Sequence, residues 1–326
     1  MEQAEDEIAA VNMALGAWYA GARALVSTSG GGFALMEEGV SLAGMLESPL
    51  VVHLAQRPGP ATGLPTRTEQ GDLNLVLYAG HGAFRRCVYA PGTLEEAVLL
   101  ACRAFNTADR YQVPVFLLTD QYFMDSYWNV PGLPLDEARA VRHTVRTGRD
   151  YRRYAFTGDG ISPRGIPGLG EGLVVADSDE HDEEGHITED LALRVRMVDK
   201  RLSRGRELER EALPPVRYGH EDGDVLVLGW GSTFPALRES LGLVGSRRIS
   251  GLHFPQVHPL PPGTAETLRR AKAIIVVEGN ATGQFADLVE KETKVPVTER
   301  ILKYNGLPFT VEELAERIGK AAGKEE

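Results

Sequence analysis

The sequence predicts an α/β protein built on wound parallel sheets, and three observations carry that expectation. Short apolar runs of strand length alternate with helical periodicity over the first 128 residues. The same alternation resumes after about residue 220, at Asp224-Val-Leu-Val-Leu-Gly. A chain of 326 residues, 43% apolar, is also long enough for two cores. The expected organisation is a first α/β domain over 1–128, an extended connection over 129–219 and a second α/β domain over 220–326.

The elements follow in order. Glu7 to Tyr19 is alanine-rich and places Ile8, Val11, Leu15 and Trp18 or Tyr19 on one face, a helix. Arg23 to Ser27 reads as a short buried strand. Ser29-Gly30-Gly31-Gly32 then reads as a tight turn needing positive φ, followed by an apolar helix from Phe33 to about Leu46 that would suit a subunit contact. Leu50–Leu54 is a second strand, and Leu75–Tyr78 a third strand or a short helix. Thr93 with Glu96 three residues on forms a capping box for a helix running toward Tyr111. Val115–Leu118 is another buried strand, ending at Asp120. Beyond Trp128, Pro131, Pro134, Pro163 and Pro167 break the pattern, and a charged helix from about Ile187 to Glu211 leads into Pro214-Pro215. Later strands are expected near Gly251–Phe254 and Ala273–Glu278, with a closing helix from Thr310.

Composition narrows the function. The 46 acidic residues outnumber 35 basic ones, a net charge of −11, which argues against nucleic acid as a partner. No apolar run approaches the roughly 18 residues of a membrane span, and MEQAEDE is no leader peptide, so a cytoplasmic chain is expected. Two cysteines, Cys87 and Cys102, are too few for an iron–sulfur cluster and read as buried structural thiols.

Four motifs carry possible chemistry. The glycine turn at Ser29–Gly32, between a strand and a helix, would favour an anion as readily as it would serve the chain's own turn. Gly158-Asp159-Gly160 resembles the opening of a metal–diphosphate site, but no asparagine follows within the next 30 residues to complete the ligands. It is therefore expected to be a plain turn, and no metal is assigned to this chain. Six carboxylates and two histidines crowd Asp177–His186, in a spacing that suits a solvated loop or a surface for a basic partner. In Arg57-Pro-Gly-Pro-Ala-Thr-Gly-Leu-Pro-Thr66, three prolines and two glycines fix the backbone around an arginine fork, which suits a substrate carboxylate.

In order along the chain, several blocks resemble the alpha subunit of 2-oxoacid:ferredoxin oxidoreductases, particularly of the 2-oxoglutarate type. These are Gln3–Gly16, Thr28–Phe33, Arg57–Thr66, Tyr151–Arg164, His181–Asp190, Gly283-Gln-Phe and Leu302–Phe309. The resemblance implies a thiamine diphosphate pyrimidine-binding domain followed by a transketolase C-terminal-like domain. It further implies that the cofactor is shared with a beta subunit holding Mg and a [4Fe–4S] cluster, with coenzyme A as co-substrate and ferredoxin as acceptor. By the same resemblance, a glutamate on the first helix bonds the aminopyrimidine N1′ and sets its tautomer. Glu7, nine residues before Gly16, fits that pattern, and Glu5 is the alternative. Ser29 and Gly30 would lie by the cofactor, and Arg57 and Thr66 by the substrate carboxylate. Family members have a strand and a Tyr-Pro-Ile-Thr-Pro turn ahead of the glutamate, whereas this sequence starts at the glutamate helix. A truncated or split subunit is one expectation from this. A dehydrogenase E1 beta chain and a catalytically incomplete scaffold are rival readings, and a nucleotide-binding module is a more distant one.

Overall fold

In the computed structural model, which describes residues 1–323, two five-stranded sheets are joined by a long arm. The first region holds α1 (Glu7–Tyr19), β1 (Leu25–Ser29), α2 (Gly30–Ala34), α3 (Glu37–Met45) and β2 (Leu50–Gln56). It continues through α4 (Leu73–Tyr78), β3 (Cys87–Tyr89), α5 (Leu94–Tyr111), β4 (Pro114–Asp120) and α6 (Gln121–Asp125). The arm carries a parallel pair, β5 (Thr144–Thr147) and β6 (Arg164–Gly170), then α7 (Leu191–Ser203) and α8 (Gly205–Arg210). The last region runs β7 (Val216–Gly219), β8 (Val225–Trp230), α9 (Phe234–Val244), β9 (Ile249–Phe254) and β10 (Gln256–His258). It ends with α10 (Thr264–Arg269), β11 (Ala273–Glu278), α11 (Gln284–Thr293), β12 (Glu299–Leu302) and α12 (Val311–Gly323).

The first sheet has the order β1-β2-β4-β3-β10 and the second β12-β11-β8-β9-β7. Within each, four strands run parallel, and the fifth pairs antiparallel at an edge. The antiparallel strand of the first sheet, β10, comes from the far side of the chain: Gln256 stands opposite Tyr89. Strands β2, β4, β8 and β11 are buried almost throughout, which is why they read as continuous Val/Ile/Leu runs instead of alternating ones.

Two local expectations change, and the open choice at Leu75–Tyr78 is decided. Phe33–Leu46 is two helices, α2 and α3, and its apolar residues Phe33, Met36, Val40 and Ala43 lie in the core of the first region. That face is consumed internally and is not free for a subunit contact. Leu75–Tyr78 belongs to helix α4 and not to a strand. The glycines after Ser29 are not a positive-φ turn: none of Gly30, Gly31 and Gly32 has positive φ, and their reason is spatial, as shown below. Strand β3 is only three residues long, too short for its apolar run to announce it in the sequence.

The arm is bolted to the first region. Glu47, fully buried, accepts hydrogen bonds from Lys200 and Arg204, and its backbone carbonyl accepts one from Arg153 at 2.7 Å. The acidic stretch before α7 is not a solvated loop. His181 is buried and packs on Tyr154 with ring centroids 3.8 Å apart, and Glu180 pairs with Arg194 and Arg201. Asp182 Oδ1 accepts three backbone N–H bonds, from Glu184, Gly185 and His186. Among the described residues no helix is long and apolar enough to cross a membrane, and no group of three acidic, His or Cys side chains is arranged to hold a metal ion.

Candidate active site

The carboxyl ends of β1, β2 and β4 lie along one edge of the parallel sheet, the side on which open parallel sheets bind ligands in a crevice. Ser29, Gln56 and Asp120 stand at those ends. Glu7 reaches the crevice from the first turn of α1. Asp6 caps that helix by accepting from Ala9 N at 2.7 Å, which fixes where α1 begins. Val11, Ala14, Leu15 and Trp18 bury its inner face, and a Cβ at Gly39 would overlap Val11, so α1 and α3 approach closely only because residue 39 is glycine.

Half-buried Glu7 lies against Thr28 and Gly32. Thr28 Oγ1 donates to Glu7 Oε1 at 3.3 Å, and a Cβ on Gly32 would overlap both groups. Oε2 of Glu7 makes no hydrogen bond among the described residues. Gly30 plays the same part for a second carboxylate: a Cβ there would overlap the carboxyl of Asp72. The glycine run is thus a backbone shelf on which two carboxylates rest.

Nothing in the sequence singles out Asp72. Its Oδ2 is buried with no hydrogen-bond partner among the described residues. Burial, reinforced by Glu69 and opposed by Arg57, pushes its carboxyl up to about 6. Asp72 N donates to Gln56 Oε1 at 3.1 Å, so the end of β2 sets where the loop returns. Gln70 ties that loop to the second region. Its N donates to Gly279 O at 2.6 Å, its Oε1 accepts from Gly279 N at 2.8 Å, and its Nε2 donates to Trp230 O at 2.9 Å. Asp120, buried, is held by Thr68 at 3.1 Å, by Phe123 N at 3.0 Å and by Ser232 from the second region. Burial raises its pKa. Gln70, Asp72 and Asp120 carry no local signal, because contacts with distant segments distinguish them. Those of Gln70 with Gly279 and of Asp120 with Ser232 span 209 and 112 residues of chain.

The expected site residues sit as follows. Glu7, Ser29 and Gly30 share the crevice, and Ser29 begins α2 without a side-chain capping bond. Arg57 directly follows β2, half-buried and close enough to Asp72 to oppose its raised pKa. Thr66 is exposed on the outer limb of the same loop. Glu5 is exposed and precedes the helix, outside the shelf. Asp159 closes a plain turn, its Oδ1 accepting from Thr157 Oγ1 at 2.8 Å and Ile161 N at 3.0 Å. Cys87 is buried in β3, where burial pushes its thiol up to about 12.

Two α/β regions on parallel sheets, the second bonded to loops at the carboxyl end of the first, make the architecture of a pyrimidine-binding-like domain followed by a transketolase C-terminal-like one. This is the thiamine-enzyme class, in which the following matches place the chain. A family model described as pyruvate flavodoxin/ferredoxin oxidoreductase, thiamine diphosphate-binding, matches residues 1–200. The chain is 41% identical over 326 residues to 2-oxoacid:ferredoxin oxidoreductase 1, subunit alpha, of Sulfurisphaera tokodaii, covering 98% of this chain and 52% of that one. It is 31% identical to 2-oxoglutarate synthase subunit KorA of Archaeoglobus fulgidus, covering 89% of this chain and 77% of that one. The solved 2-oxoglutarate:ferredoxin oxidoreductase of Magnetococcus marinus, which holds 2-oxoglutarate, coenzyme A and succinyl-CoA, superposes with a TM-score of 0.92 at 33% identity. That match covers 98% of this chain and 56% of that one. The chain belongs to the 2-oxoacid:ferredoxin oxidoreductase family, on its alpha-subunit side. It spans about half the length of the Sulfurisphaera relative.

Proposed function

We propose that this chain forms the pyrimidine side of a thiamine diphosphate site completed by a beta subunit, in a complex that oxidatively decarboxylates a 2-oxoacid to its acyl-CoA. The observation that carries this is Glu7, held on the Gly32 shelf by Thr28 with Oε2 uncommitted. Those residues fit the aminopyrimidine half of the cofactor: one fixed carboxylate oxygen, one free, and a backbone without Cβ beside them.

When bound, thiamine diphosphate supplies the carbon that adds to the 2-oxoacid and the electron sink for decarboxylation. The chain's own residues do the rest. Glu7 holds a proton between Oε2 and the ring nitrogen, and Thr28 keeps that carboxylate from rotating away. Arg57 pairs with the substrate carboxylate at the mouth of the loop, with Thr66 donating from the outer limb, so the carbonyl is oriented before reaction. Ser29 and Gly30 line the cofactor side. Mg and the [4Fe–4S] cluster belong to the partner, ferredoxin is the acceptor, and 2-oxoglutarate is the substrate, a reading supported by the name of the Archaeoglobus relative and by the 2-oxoglutarate held in the Magnetococcus structure.

The test is turnover of the assembled complex with 2-oxoacid, coenzyme A and a viologen acceptor. Glu7→Ala is expected to lower kcat by at least ~10²-fold, with the complex still assembled by size-exclusion chromatography. An intact rate in that variant sinks the assignment.

A further inference from the structure

A cavity of about 390 Å³ lies between α1, the end of α3 and the arm, toward the far end of α1 from Glu7. Trp18, on its wall, is eleven residues on from Glu7, roughly 16 Å along the helix axis. Leu15, Trp18, Leu42, Leu46, Pro49 and Val174 make the walls apolar. Two arginines, Arg153 and Arg164, also line it, although they are only 5% and 4% exposed. Nη1 of Arg153 and Nε of Arg164 are buried without a hydrogen-bond partner among the described residues.

Guanidinium groups this enclosed are ordinarily matched by carboxylates, and here the match is incomplete. Behind the cavity, Glu47 is shared by Lys200, Arg204 and Arg153, and Asp109 by Arg23 and Arg164. Five cationic side chains thus face two carboxylates, most of them out of contact with water. Burial, with Arg204 and Arg153 nearby, brings Lys200 down to about 8 in spite of its bond to Glu47. The region lacks negative charge, and the cavity is where it could be supplied.

We propose that this cavity binds a small monocarboxylate with an apolar body, its carboxylate taken by Arg153 and its hydrocarbon laid against Trp18 and Leu42. Inorganic phosphate would answer the charge but leave the apolar walls unmatched. The volume sits at the lower end of the range for small-molecule sites, which suits a short chain.

The probe is hexanoate, titrated into the full chain with tryptophan emission and thermal unfolding as readouts and phosphate at matched ionic strength as the comparison. A saturable change with a Kd in the millimolar range, the scale for so small a ligand, and a raised Tm are expected. Arg153→Met should weaken binding at least tenfold. Because that change also removes bonds to the carbonyls of Leu46 and Glu47, Gly16→Leu is the second variant. Gly16 lines the cavity with open space where a Cβ would stand, so leucine there fills the cavity and leaves both arginines in place. Binding is expected to be lost in it. A response that does not saturate, that phosphate reproduces, or that survives unchanged in Gly16→Leu overturns the proposal.

Discussion

Glu278 beside the second sheet and the acids Glu7 and Asp72 beside the first spend their hydrogen-bonding capacity differently. Glu278, at the end of β11, accepts from Asn280 Nδ2 at 2.6 Å, Phe285 N at 2.9 Å and Ala286 N at 3.0 Å. It caps α11 and has nothing left to offer a ligand. Beside the first sheet, Glu7 has only Thr28 as a hydrogen-bond partner among the described residues, and Asp72 keeps a buried oxygen with none. Both regions have carboxyl ends of parallel strands, so topology alone does not choose between them, and unspent hydrogen-bonding capacity is what separates them.

Four substitutions would break or sharpen that contrast. Glu278→Ala leaves three buried donors without an acceptor and is expected to cost about 3 kcal/mol in denaturant unfolding. A loss below about 1 kcal/mol would mean the acid is not structural. Gly32→Ala pushes a methyl into Glu7 and Thr28. The displaced atoms are side-chain ends, so turnover of the assembled complex should fall by about 10²-fold while Tm stays near that of the parent. Equal losses of both would place the shelf with Glu278.

Asp72→Asn reads the same contrast through pH. A carboxyl raised to about 6, against an ordinary unfolded value near 4, means that the folded state holds its proton longer. The resulting penalty is absent below about pH 4, grows as pH rises toward 6 and is constant above. The asparagine variant should therefore be more stable than the parent at pH 7, by about 3 kcal/mol, and equal to it near pH 4. A gain that does not vanish in acid would point to packing instead. Glu5→Ala is the smallest effect: exposed and ahead of the helix, its loss should leave turnover within about twofold, and a collapse like that of Glu7→Ala would exchange the two assignments.

Much of the fold was legible because local physics settles it. Glu7–Tyr19 matches α1 in its bounds, and Val11, Leu15 and Trp18 of its expected stripe are buried while Ile8 is exposed; the Val/Ile/Leu runs at β2, β4, β8 and β11 mark strands buried on both faces. Thr93 and Glu96 do cap α5, with Glu96 N donating to Thr93 Oγ1 at 3.2 Å. Yet the Glu96 carboxylate bonds Gly92 N and His253, so a local motif doubles as a link between the two regions. Phe33–Leu46 reads as one helix in the sequence because apolar spacing continues through Leu35 and Met36, where the backbone turns. Carboxylate density at Asp177–His186 suggests water, and the arginines that neutralise it come from α7 and, as Arg152, from the loop before β6.

The sequence by itself determined the alternation of helices and strands and the lack of an asparagine to complete a metal–diphosphate motif after Gly158-Asp159-Gly160. Each follows from side-chain chemistry and near-neighbour spacing. Tertiary structure alone decided that the glycines at 30 and 32 make room for Asp72 and Glu7, that Gln70 and Asp120 are gripped by the second region, and that two buried arginines border an apolar cavity. Those facts depend on distances between segments up to 209 residues apart, which no local pattern encodes.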